Sequence, residues 1–421
     1  MRKDALLLLV LAASGGAPWG GTVVAAQGET PWVTPYHPCY QWNEVAAGEV
    51  PWALITHLNL GYMLLEQVSP TEYTITPPDW YGAQAWFADA ASYVTAGHQA
   101  GRKVGCMLGG EGSNPGNIWS SATSPENVAL FASNIAAVLQ AHGFDGVDLD
   151  WEDDVDYAGL VRLAQQLRST WPGAVITIPT SFVGEDAADL APAAAAVDAF
   201  MPMTYIAVPQ WGGWILPSPL TPLYIVGANS NSVDWVRQSW LAAGVPASML
   251  VMGVGGFGLV WGDTDGDGLA PIAPYTSGGD GSAAGEWGGI VSDNAVTQAW
   301  LSETLAEHPG AFVAAWDEAE EISYWHTSAE TVQVTVDDLY CVLWGNCDAT
   351  AEVSLIFYET PQAMRTKLAY IGQHGMKGMM FWTLSQMRDG ASFPMLEAIG
   401  GTLFADGFES GTTERWSDVV P

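Results

Sequence analysis

The sequence predicts an α/β protein: a (β/α)8 TIM barrel with a small α+β subdomain inserted between its seventh and eighth strands. Eight short apolar or β-branched segments recur along the 421 residues, and stretches with helical periodicity separate them. Eight parallel strands are the number that closes a barrel of this class. Hydrophobic residues make up 49% of the chain, which is enough to fill the core of such a fold.

Strand and helix candidates follow one another in the order that a barrel requires. The predicted strands are Trp32–Tyr40, Ile55–Tyr62, Lys103–Leu108, Gly146–Glu152, Val175–Thr180, Ala199–Tyr205, Leu250–Phe257 and Gly378–Thr383. Helices are predicted over Pro125–His142, Asp156–Thr170, Ser232–Ala243 and Pro361–His374. The first of these helices has a serine before its initial proline, a common opening of helices.

The connection between the seventh and eighth strands is far longer than a normal loop. We therefore predict an inserted α+β subdomain over about residues 262–358, within a barrel that spans residues 27–403. After Leu403 the pattern fades, and residues 404–421 are predicted to form a C-terminal tail without a catalytic role.

The N-terminus has the regions of a secretory signal peptide. Met1, Arg2 and Lys3 precede an apolar run over Ala5–Ala13, and small residues lead to a predicted cleavage site near Ala26. No later apolar run reaches the roughly 18 residues of a membrane-spanning helix. The expected location is therefore secreted and extracellular, without a membrane partner.

Acidic residues outnumber basic ones by 46 to 12, which gives a formal net charge of −34. Nucleic acids and anionic membranes require lysine and arginine, so this composition argues against both as partners. It favours a neutral or cationic ligand, or it serves only to keep a secreted protein soluble. We expect a monomer that needs no cofactor.

The four cysteines have neither zinc-type nor CxxC spacing. Cys341 and Cys347 enclose a short loop and are a candidate disulfide in an exported protein. Cys39 and Cys106 lie in apolar, strand-like stretches and are predicted to be buried thiols.

The densest chemistry lies in the fourth predicted strand. Asp148, Asp150 and Glu152 alternate with apolar residues, so on a strand all three carboxylates point to one face, which in a barrel is the lumen. Asp145 is out of phase with them and is predicted to support the start of the strand. Successive lumen carboxylates lie roughly 6–7 Å apart, and they cannot all ionise cheaply where they are partly desolvated.

These constraints predict that Glu152 is a general acid. It comes last, at the C-terminal end of the strand, where the active sites of such barrels lie. Repulsion from Asp150 would raise the pKa of Glu152, and Asp150 would in turn share a proton with Asp148. An acidic strand edge or a divalent-metal site is the alternative, although no histidine lies nearby in the sequence to complete a metal site.

The run from Asp145 to Glu152 matches in full the DxxDxDxE signature of glycoside hydrolase family 18, the chitinase family. Further segments resemble the family's motifs in the same order: Thr56–Tyr62, Lys103–Gly110, Met203–Tyr205 and Met379–Trp382. The resemblance extends over nearly the whole mature chain. The long insertion before the last strand is similar in position to the insertion domain of one large chitinase subgroup.

The resemblance implies a chitinase that cleaves chitin or N-acetylglucosamine oligosaccharides by a retaining, substrate-assisted reaction. Glu152 would protonate the glycosidic oxygen, and Asp150, beside Asp148, would hold the acetamido N–H. Tyr205 would bind the acetamido oxygen. Trp382 would form the apolar floor beneath the reacting sugar.

The remaining substrate-binding candidates are aromatic or lie in the matching motifs. Tyr62 and Met203 belong to the segments that resemble the second and sixth strands of the family. Four tryptophans lie in loop-like contexts flanked by glycine or proline, where their rings could line a sugar-binding cleft: Trp119, Trp211, Trp214 and Trp287. Of these, we assign Trp119 and Trp211 to the substrate site.

Two positions depart from the family's pattern. Met107 stands where the family usually has serine, and we expect repacking to absorb this change. Ile206 stands where the family usually has aspartate or asparagine, and it removes a polar contact near the acetamido group. We expect that loss to affect affinity and product specificity more than the chemical step.

Two other functions are compatible with the sequence. An endo-β-N-acetylglucosaminidase acting on glycoprotein glycans or bacterial wall polymer would have the same fold and the same acid. A non-catalytic chitin-binding lectin on the same barrel would fit Ile206 but not the retained carboxylates. Separately, the segment Asp263–Gly268 resembles half of a calcium loop, but Pro274 occupies the position of its last ligand, so we favour a plain turn.

Overall fold

The structure is a computed structural model that describes residues 30–181, 184–205, 220–224, 232–263, 288–292, 296–327, 332–336 and 349–403. Several predictions concern residues outside these ranges: the signal peptide, the C-terminal tail, the possible disulfide, the role of Ile206 and most of the calcium-like segment. The same holds for Trp211, Trp214 and Trp287.

Fifteen strands are described, and we number them along the chain. They are β1 Trp32–Pro38, β2 His57–Ser69, β3 Glu72–Thr76, β4 Lys103–Gly109, β5 Gly146–Asp150, β6 Val175–Thr180, β7 Ala199–Pro202, β8 Val251–Gly255, β9 Leu259–Asp263, β10 Gly288–Ser292, β11 Phe312–Asp317, β12 Ile322–Thr327, β13 Val332–Val336, β14 Ala349–Phe357 and β15 Gly378–Trp382.

The described helices are α1 Ala83–Gln99, α2 Ile118–Ala122, α3 Val128–Ala141, α4 Tyr157–Thr170, α5 Ala187–Leu190, α6 Val233–Ala242, α7 Gln298–Glu307, α8 Pro361–His374 and α9 Pro394–Leu403. Short 3₁₀ turns occupy Cys39–Gln41, Trp52–Leu54, Pro115–Asn117, Ala191–Ala193, Ala247–Met249 and Ser385–Met387.

Eight parallel strands form the predicted barrel. Their order around it is β7-β6-β5-β4-β2-β1-β15-β8, and a parallel bridge between Phe200 and Leu250 brings β7 and β8 together. All eight predicted strands are therefore confirmed, although several end a few residues earlier than expected. The C-terminal ends of these strands gather at one mouth, where active sites of such barrels lie.

The second strand is longer than predicted because it continues into a hairpin. β2 runs on to Ser69 and pairs antiparallel with β3, with Leu64 opposite Thr76. The hairpin packs on α3, where the rings of Tyr73 and Phe131 lie 6.4 Å apart. Residues 77–82 then lead from β3 into α1 at the mouth of the barrel.

The predicted helices are present, with one altered start. α3 begins at Val128 rather than at Pro125, because Asn127 and Val128 both donate their N–H groups to the carbonyl of Ser124 and form a turn. The helix that follows the hairpin, α1, was not among the candidates, although its buried residues Trp86, Ala90, Tyr93, Val94 and Gly97 follow helical spacing.

A second sheet lies in the chain between β8 and β15. Its strands are antiparallel, in the order β10-β9-β14-β12-β11, with β13 paired to β14, and α7 precedes β11. It occupies the part of the chain where the sequence predicts an inserted subdomain. The limits of that subdomain, residues 262–358, remain a prediction.

The barrel separates two apolar layers, one inside its lumen and one beneath the outer helices. The lumen cluster includes Tyr36, Met107, Met201, Val251 and Met380, all at most 3% exposed. Met107 therefore fills lumen space beside other thioethers, which adapt readily to irregular gaps. Cys39 and Cys106 are buried free thiols, as predicted.

Candidate active site

Strand β5 presents the three carboxylates in the predicted alternation. Asp148 and Asp150 are buried, with 0% and 4% of their surfaces exposed, and Glu152 follows directly after the strand as an exposed side chain at the barrel mouth. The intervening Leu149 and Trp151 are buried in the outer layer. One short strand thus carries acids from the closed lumen out to the open mouth.

Asp145, in contrast, points away from this line of acids, as predicted. Its carboxylate accepts hydrogen bonds from the backbone N–H of Val104 at 2.9 Å and from the Lys103 Nζ at 2.8 Å. His98 Nε2 lies 2.8 Å from the same group. These contacts tie the start of β5 to β4 and α1, and they lower the pKa of Asp145.

Asp148 accepts hydrogen bonds from two side-chain hydroxyl groups. The hydroxyl of Tyr36 donates to its Oδ2 at 2.8 Å, and the hydroxyl of Thr177 donates to its Oδ1. Burial nevertheless raises the pKa of Asp148 to about 7, against the lowering effect of both donors. A proton is therefore retained easily at the base of the site near neutral pH.

Asp150 is buried, and hydrogen bonds from the described residues do not fully compensate the desolvation of its carboxylate. Among the described residues, its Oδ1 has no hydrogen-bond partner. Burial, followed by the charges of Glu152 and Asp148, raises its pKa well above the ordinary range. A buried carboxylate oxygen without a donor is costly, so this atom is suited to accept a hydrogen bond from a ligand.

The end of β4 approaches β5 closely because it carries two glycines. Gly109 and Gly110 have φ values of 113° and 102°, and Gly110 donates its N–H to the carbonyl of Asp150 at 2.7 Å. A Cβ on Gly109 would lie 2.1 Å from that same carbonyl oxygen. Side chains at this point would push the β4 loop away from the carboxylates.

The loops after β4 and β5 are joined through Asp153. Gly112 donates its N–H to Asp153 Oδ2 at 2.5 Å, and Asn114 Nδ2 donates to the Asp153 carbonyl at 2.9 Å. This arrangement holds Glu111 beside Glu152. Desolvation of the carboxyl group by the surrounding protein is the largest cause that raises the pKa of Glu152 to about 7, and the charges of Glu111 and Asp153 add to it.

The other predicted site residues lie around the same mouth. Tyr205 is 8% exposed, and the charges of Glu152, Asp150 and Asp148 add to burial in raising its pKa. Trp382 ends β15, half-buried, with its ring 5.7 Å from that of Tyr36. Tyr62 and Met203 are also half-buried and pack against the lumen cluster. These residues come together with the carboxylates, as the sequence predicted.

The assignment of Trp119 to the substrate site is wrong. Trp119 lies in α2, has no exposed surface and stacks on Trp151, with ring centroids 5.2 Å apart and an angle of 16°. The flanking glycine and proline form a 3₁₀ turn rather than an open loop. The ring therefore supports the outer side of β5 and cannot reach a ligand in the lumen.

We expect Trp119→Ala to lower the free energy of unfolding by about 3–5 kcal/mol, because it leaves a cavity behind β5. Thermal or denaturant unfolding measures this loss. The matched control is Trp80→Ala, because Trp80 is 60% exposed and should change stability by only about 0.5 kcal/mol. Equal losses in the two variants would contradict the buried, supporting role of Trp119.

Sequence reasoning did not assign roles to Tyr36, Thr177 or Glu111. Thr177 stands on β6, opposite Asp148, and Tyr36 stands on β1, which is separated from β5 by β4 and β2. Strand periodicity could have marked both positions as lumen-facing. Their contact with Asp148 depends on the register around the barrel, which a linear pattern does not contain. Glu111 comes next to Glu152 only through the joined loops.

The Glu111 charge should influence the pH dependence of Glu152. The negative charges of Glu111 and Asp153 raise the pKa of Glu152, whereas a hydrogen bond from the Glu111 backbone lowers it. The charge of Glu152 in turn raises the pKa values of Asp150 and Tyr205. In Glu111→Gln the backbone donor stays and one negative charge disappears, so the pKa of Glu152 should fall from about 7.

We therefore expect the alkaline limb of the kcat/KM profile to move to lower pH in Glu111→Gln. The measurement is a pH–rate profile on one oligosaccharide substrate. Glu303→Gln is the control, because Glu303 is an exposed carboxylate on α7. An unchanged alkaline limb in Glu111→Gln, or an equal shift in the control, would contradict the assigned interaction.

Within the described ranges, no group of three or more His, Cys, Asp or Glu side chains is arranged to hold a metal ion. In the same ranges, no helix has both the length and the apolar character that crossing a membrane requires.

The family model of the glycosyl hydrolases family 18 matches residues 37–386. Endochitinase 1 of Metarhizium robertsii is 25% identical over 65% of this chain and 59% of its own length. Chitinase A1 of Niallia circulans is 26% identical over 65% of this chain, which spans 40% of that protein. The matches thus leave a large share of both relatives uncovered.

Solved structures share the fold. The crystal structure of the Ostrinia furnacalis group IV chitinase in complex with allosamidin is 19% identical and gives a TM-score of 0.66. The match covers 90% of this chain and 99% of that one. At this level of identity, the similarity supports the barrel architecture alone.

Proposed function

Because the chain belongs to glycosyl hydrolase family 18, we propose that it is a secreted chitinase that hydrolyses β-1,4 linkages between N-acetylglucosamine units. The observation that carries this proposal is the line of acids on β5. The pKa of Glu152 at the open mouth is raised to about 7, and behind it lies a buried Asp150 whose Oδ1 has no hydrogen-bond partner among the described residues. This pair suits a reaction in which the sugar supplies the nucleophile.

The first step breaks the glycosidic bond. Glu152 transfers its proton to the glycosidic oxygen, so the departing sugar leaves as an alcohol. The carbonyl oxygen of the substrate's own acetamido group attacks the anomeric carbon from the opposite face and forms an oxazolinium ion. Water then attacks the anomeric carbon and displaces the acetamido oxygen, which regenerates the acetamido group. Glu152 takes up a proton from the water, and the configuration is retained.

The buried carboxylates act on the acetamido group. Asp150 accepts the acetamido N–H through its Oδ1, the oxygen to which no described residue donates, and stabilises the positive charge of the oxazolinium ion. Asp148, held by Tyr36 and Thr177, shares a proton with Asp150. This exchange lets Asp150 become negative when positive charge develops on the sugar.

The surrounding side chains orient the sugar. Tyr205 donates its hydroxyl to the acetamido oxygen, which directs that oxygen toward the anomeric carbon. Trp382 supplies an apolar ring beneath the pyranose, and Tyr62 and Met203 complete the walls of the site. The second sheet, which follows β8, would form the inserted subdomain at the side of this cleft.

Hydrolysis of N-acetylglucosamine oligosaccharides by the purified mature chain tests the proposal. Proton NMR recorded soon after mixing should show product with the β configuration before mutarotation. Product with the α configuration would refute the retaining mechanism. Cleavage of glycoprotein glycans but not of chitin oligosaccharides would identify an endo-β-N-acetylglucosaminidase, and binding without any cleavage would identify a lectin.

A further inference from the structure

An asparagine side chain is buried in the barrel lumen, below the proposed active site. Asn59 is 6% exposed, and its neighbours Leu58 and Leu60 belong to the outer apolar layer, so its side chain faces the lumen. Among the described residues, no atom accepts a hydrogen bond from its Nδ2. Burial of an unsatisfied amide donor costs folding free energy, so this side chain calls for a functional explanation.

The register of the barrel places Asn59 beside Tyr36. On β2, Asn59 stands opposite Tyr36 of β1 and opposite Gly105 of β4. Its Oδ1 lies on the Gly105 side, because a Cβ at position 105 would come within 2.5 Å of that oxygen. Burial and the nearby carboxylates raise the pKa of Tyr36, whereas the Asn59 side chain lowers it. Such an effect means that the amide presents its N–H side to the phenol oxygen.

Tyr36 transmits the influence of Asn59 to the carboxylates. Its hydroxyl donates to Asp148 Oδ2 at 2.8 Å. A hydroxyl oxygen that accepts a hydrogen bond becomes a stronger donor, and stronger donation favours the ionised form of Asp148. The titratable groups that interact with the charge of Asp148 are Tyr36, Cys106, Asp150 and Tyr205. Each of these groups ionises to an anion, so hydroxyl donors must stabilise the charge of Asp148.

We propose that Asn59 is a positioning residue of the reaction. When Asp148 is ionised, Asn59 donates its Nδ2–H to the Tyr36 hydroxyl oxygen, which strengthens the hydrogen bond to Asp148 and keeps the shared proton on Asp150 until the substrate binds. The inference rests on the proposed function. Without Asn59, Asp150 would more often be negative in the free protein. That charge would raise the pKa of Glu152 and make it a weaker acid.

The test is a double-mutant cycle with Tyr36. Asn59→Leu removes the amide at nearly constant size, and kcat on chitohexaose should fall about three- to tenfold. The KM should stay nearly unchanged, because Asn59 does not contact the sugar. The alkaline limb of the kcat/KM profile should move to higher pH, opposite to the shift expected for Glu111→Gln. In the Tyr36→Phe variant, which lacks the transmitting hydroxyl, Asn59→Leu should change kcat by less than about twofold.

Thr34→Val is the matched control for this cycle. Thr34 is 2% exposed and lies two residues before Tyr36 on the same face of β1, and its Oγ1 also has no partner among the described residues. The substitution therefore removes a similar buried polar atom without touching Tyr36. We expect kcat and the pH profile of Thr34→Val to match those of the wild-type chain.

The outcomes separate this inference from the proposed function. If the wild-type chain cleaves chitohexaose, an unchanged kcat in Asn59→Leu, or an equal loss in the Tyr36→Phe background, refutes the inference and leaves the chitinase proposal intact. If the wild-type chain does not cleave it, the proposed function fails, and carboxyl ¹³C NMR tests the inference without hydrolysis. The Asp148 signal, identified by its absence in Asp148→Asn, should titrate at higher pH in Asn59→Leu than in the wild-type chain. Identical titrations would refute the role of Asn59.

Discussion

Glu152→Gln should fold normally and hydrolyse unactivated chitin oligosaccharides about 10²–10⁴-fold more slowly than the wild-type chain, the usual contribution of a general acid. Glutamine has nearly the same shape but no transferable proton. The side chain is exposed at the mouth, so the substitution should not disturb packing. The measurement is initial rate on chitohexaose at saturating and limiting concentrations.

Comparison of two substrates with different leaving groups tests the role of Glu152 more specifically. A 4-nitrophenolate departs without protonation, so Glu152→Gln should lose far less activity in the first step on 4-nitrophenyl chitobioside than on chitohexaose. This step is followed as a burst of nitrophenol release. Equal losses on the two substrates, or near wild-type turnover of chitohexaose by folded protein, would mean that Glu152 is not the acid.

The pKa of Glu152 also predicts a change in stability. The folded-state pKa of about 7 lies above the ordinary value, so the group favours the folded state at low pH. That contribution is lost as the pH rises through 7. The melting temperature of Glu152→Gln, relative to that of the wild-type chain, should therefore be higher at pH 8.5 than at pH 5. Glu303→Gln should show no such trend.

Strand periodicity was enough to predict the central part of this site. The alternation from Asp148 to Glu152 fixes which face of the strand the acids share. Asp145 does not follow this alternation, and the sequence correctly separated it from the three acids. Both predictions use the geometry of a single strand, which the sequence contains in full. The eight barrel strands were found for the same reason, because each is a short apolar segment with clear ends.

Predictions that depend on distant parts of the chain were less successful. Trp119 was assigned to an open loop, but a turn of helix places its ring against Trp151. Tyr36 stands on β1, which is separated from β5 by β4 and β2 in the sheet, so its contact with Asp148 depends on barrel closure. Thr177 stands opposite Asp148 on the adjacent β6, so its contact depends on the register of that strand pair. Local composition fixes neither contact, since both depend on register and packing.

Asp150→Asn should lower hydrolysis of chitin oligosaccharides by about 10²–10³-fold, as expected when a preorganised group facing developing charge is removed. Asparagine can still offer an oxygen to the acetamido N–H, but it cannot become negative beside the oxazolinium ion. Unlike Glu152→Gln, this variant should be equally slow on 4-nitrophenyl chitobioside, because Asp150 assists the acetamido nucleophile and not the leaving group. Greater activity of Asp150→Asn on the activated substrate would contradict that role.

The same substitution should leave the fold intact or strengthen it. The pKa of Asp150 is raised well above its ordinary range, so its favourable effect on folding is present at low pH and lost as the pH rises. Asparagine avoids this loss, and the melting temperature of Asp150→Asn relative to the wild-type chain should increase from pH 4 upward. Asp148→Asn is the matched comparison, because Asp148 already receives two hydrogen bonds and should gain less. A variant that is inactive and yet at least as stable would indicate that the cost of burying Asp150 serves catalysis rather than folding; an inactive variant that melts lower at every pH would assign Asp150 a structural role instead.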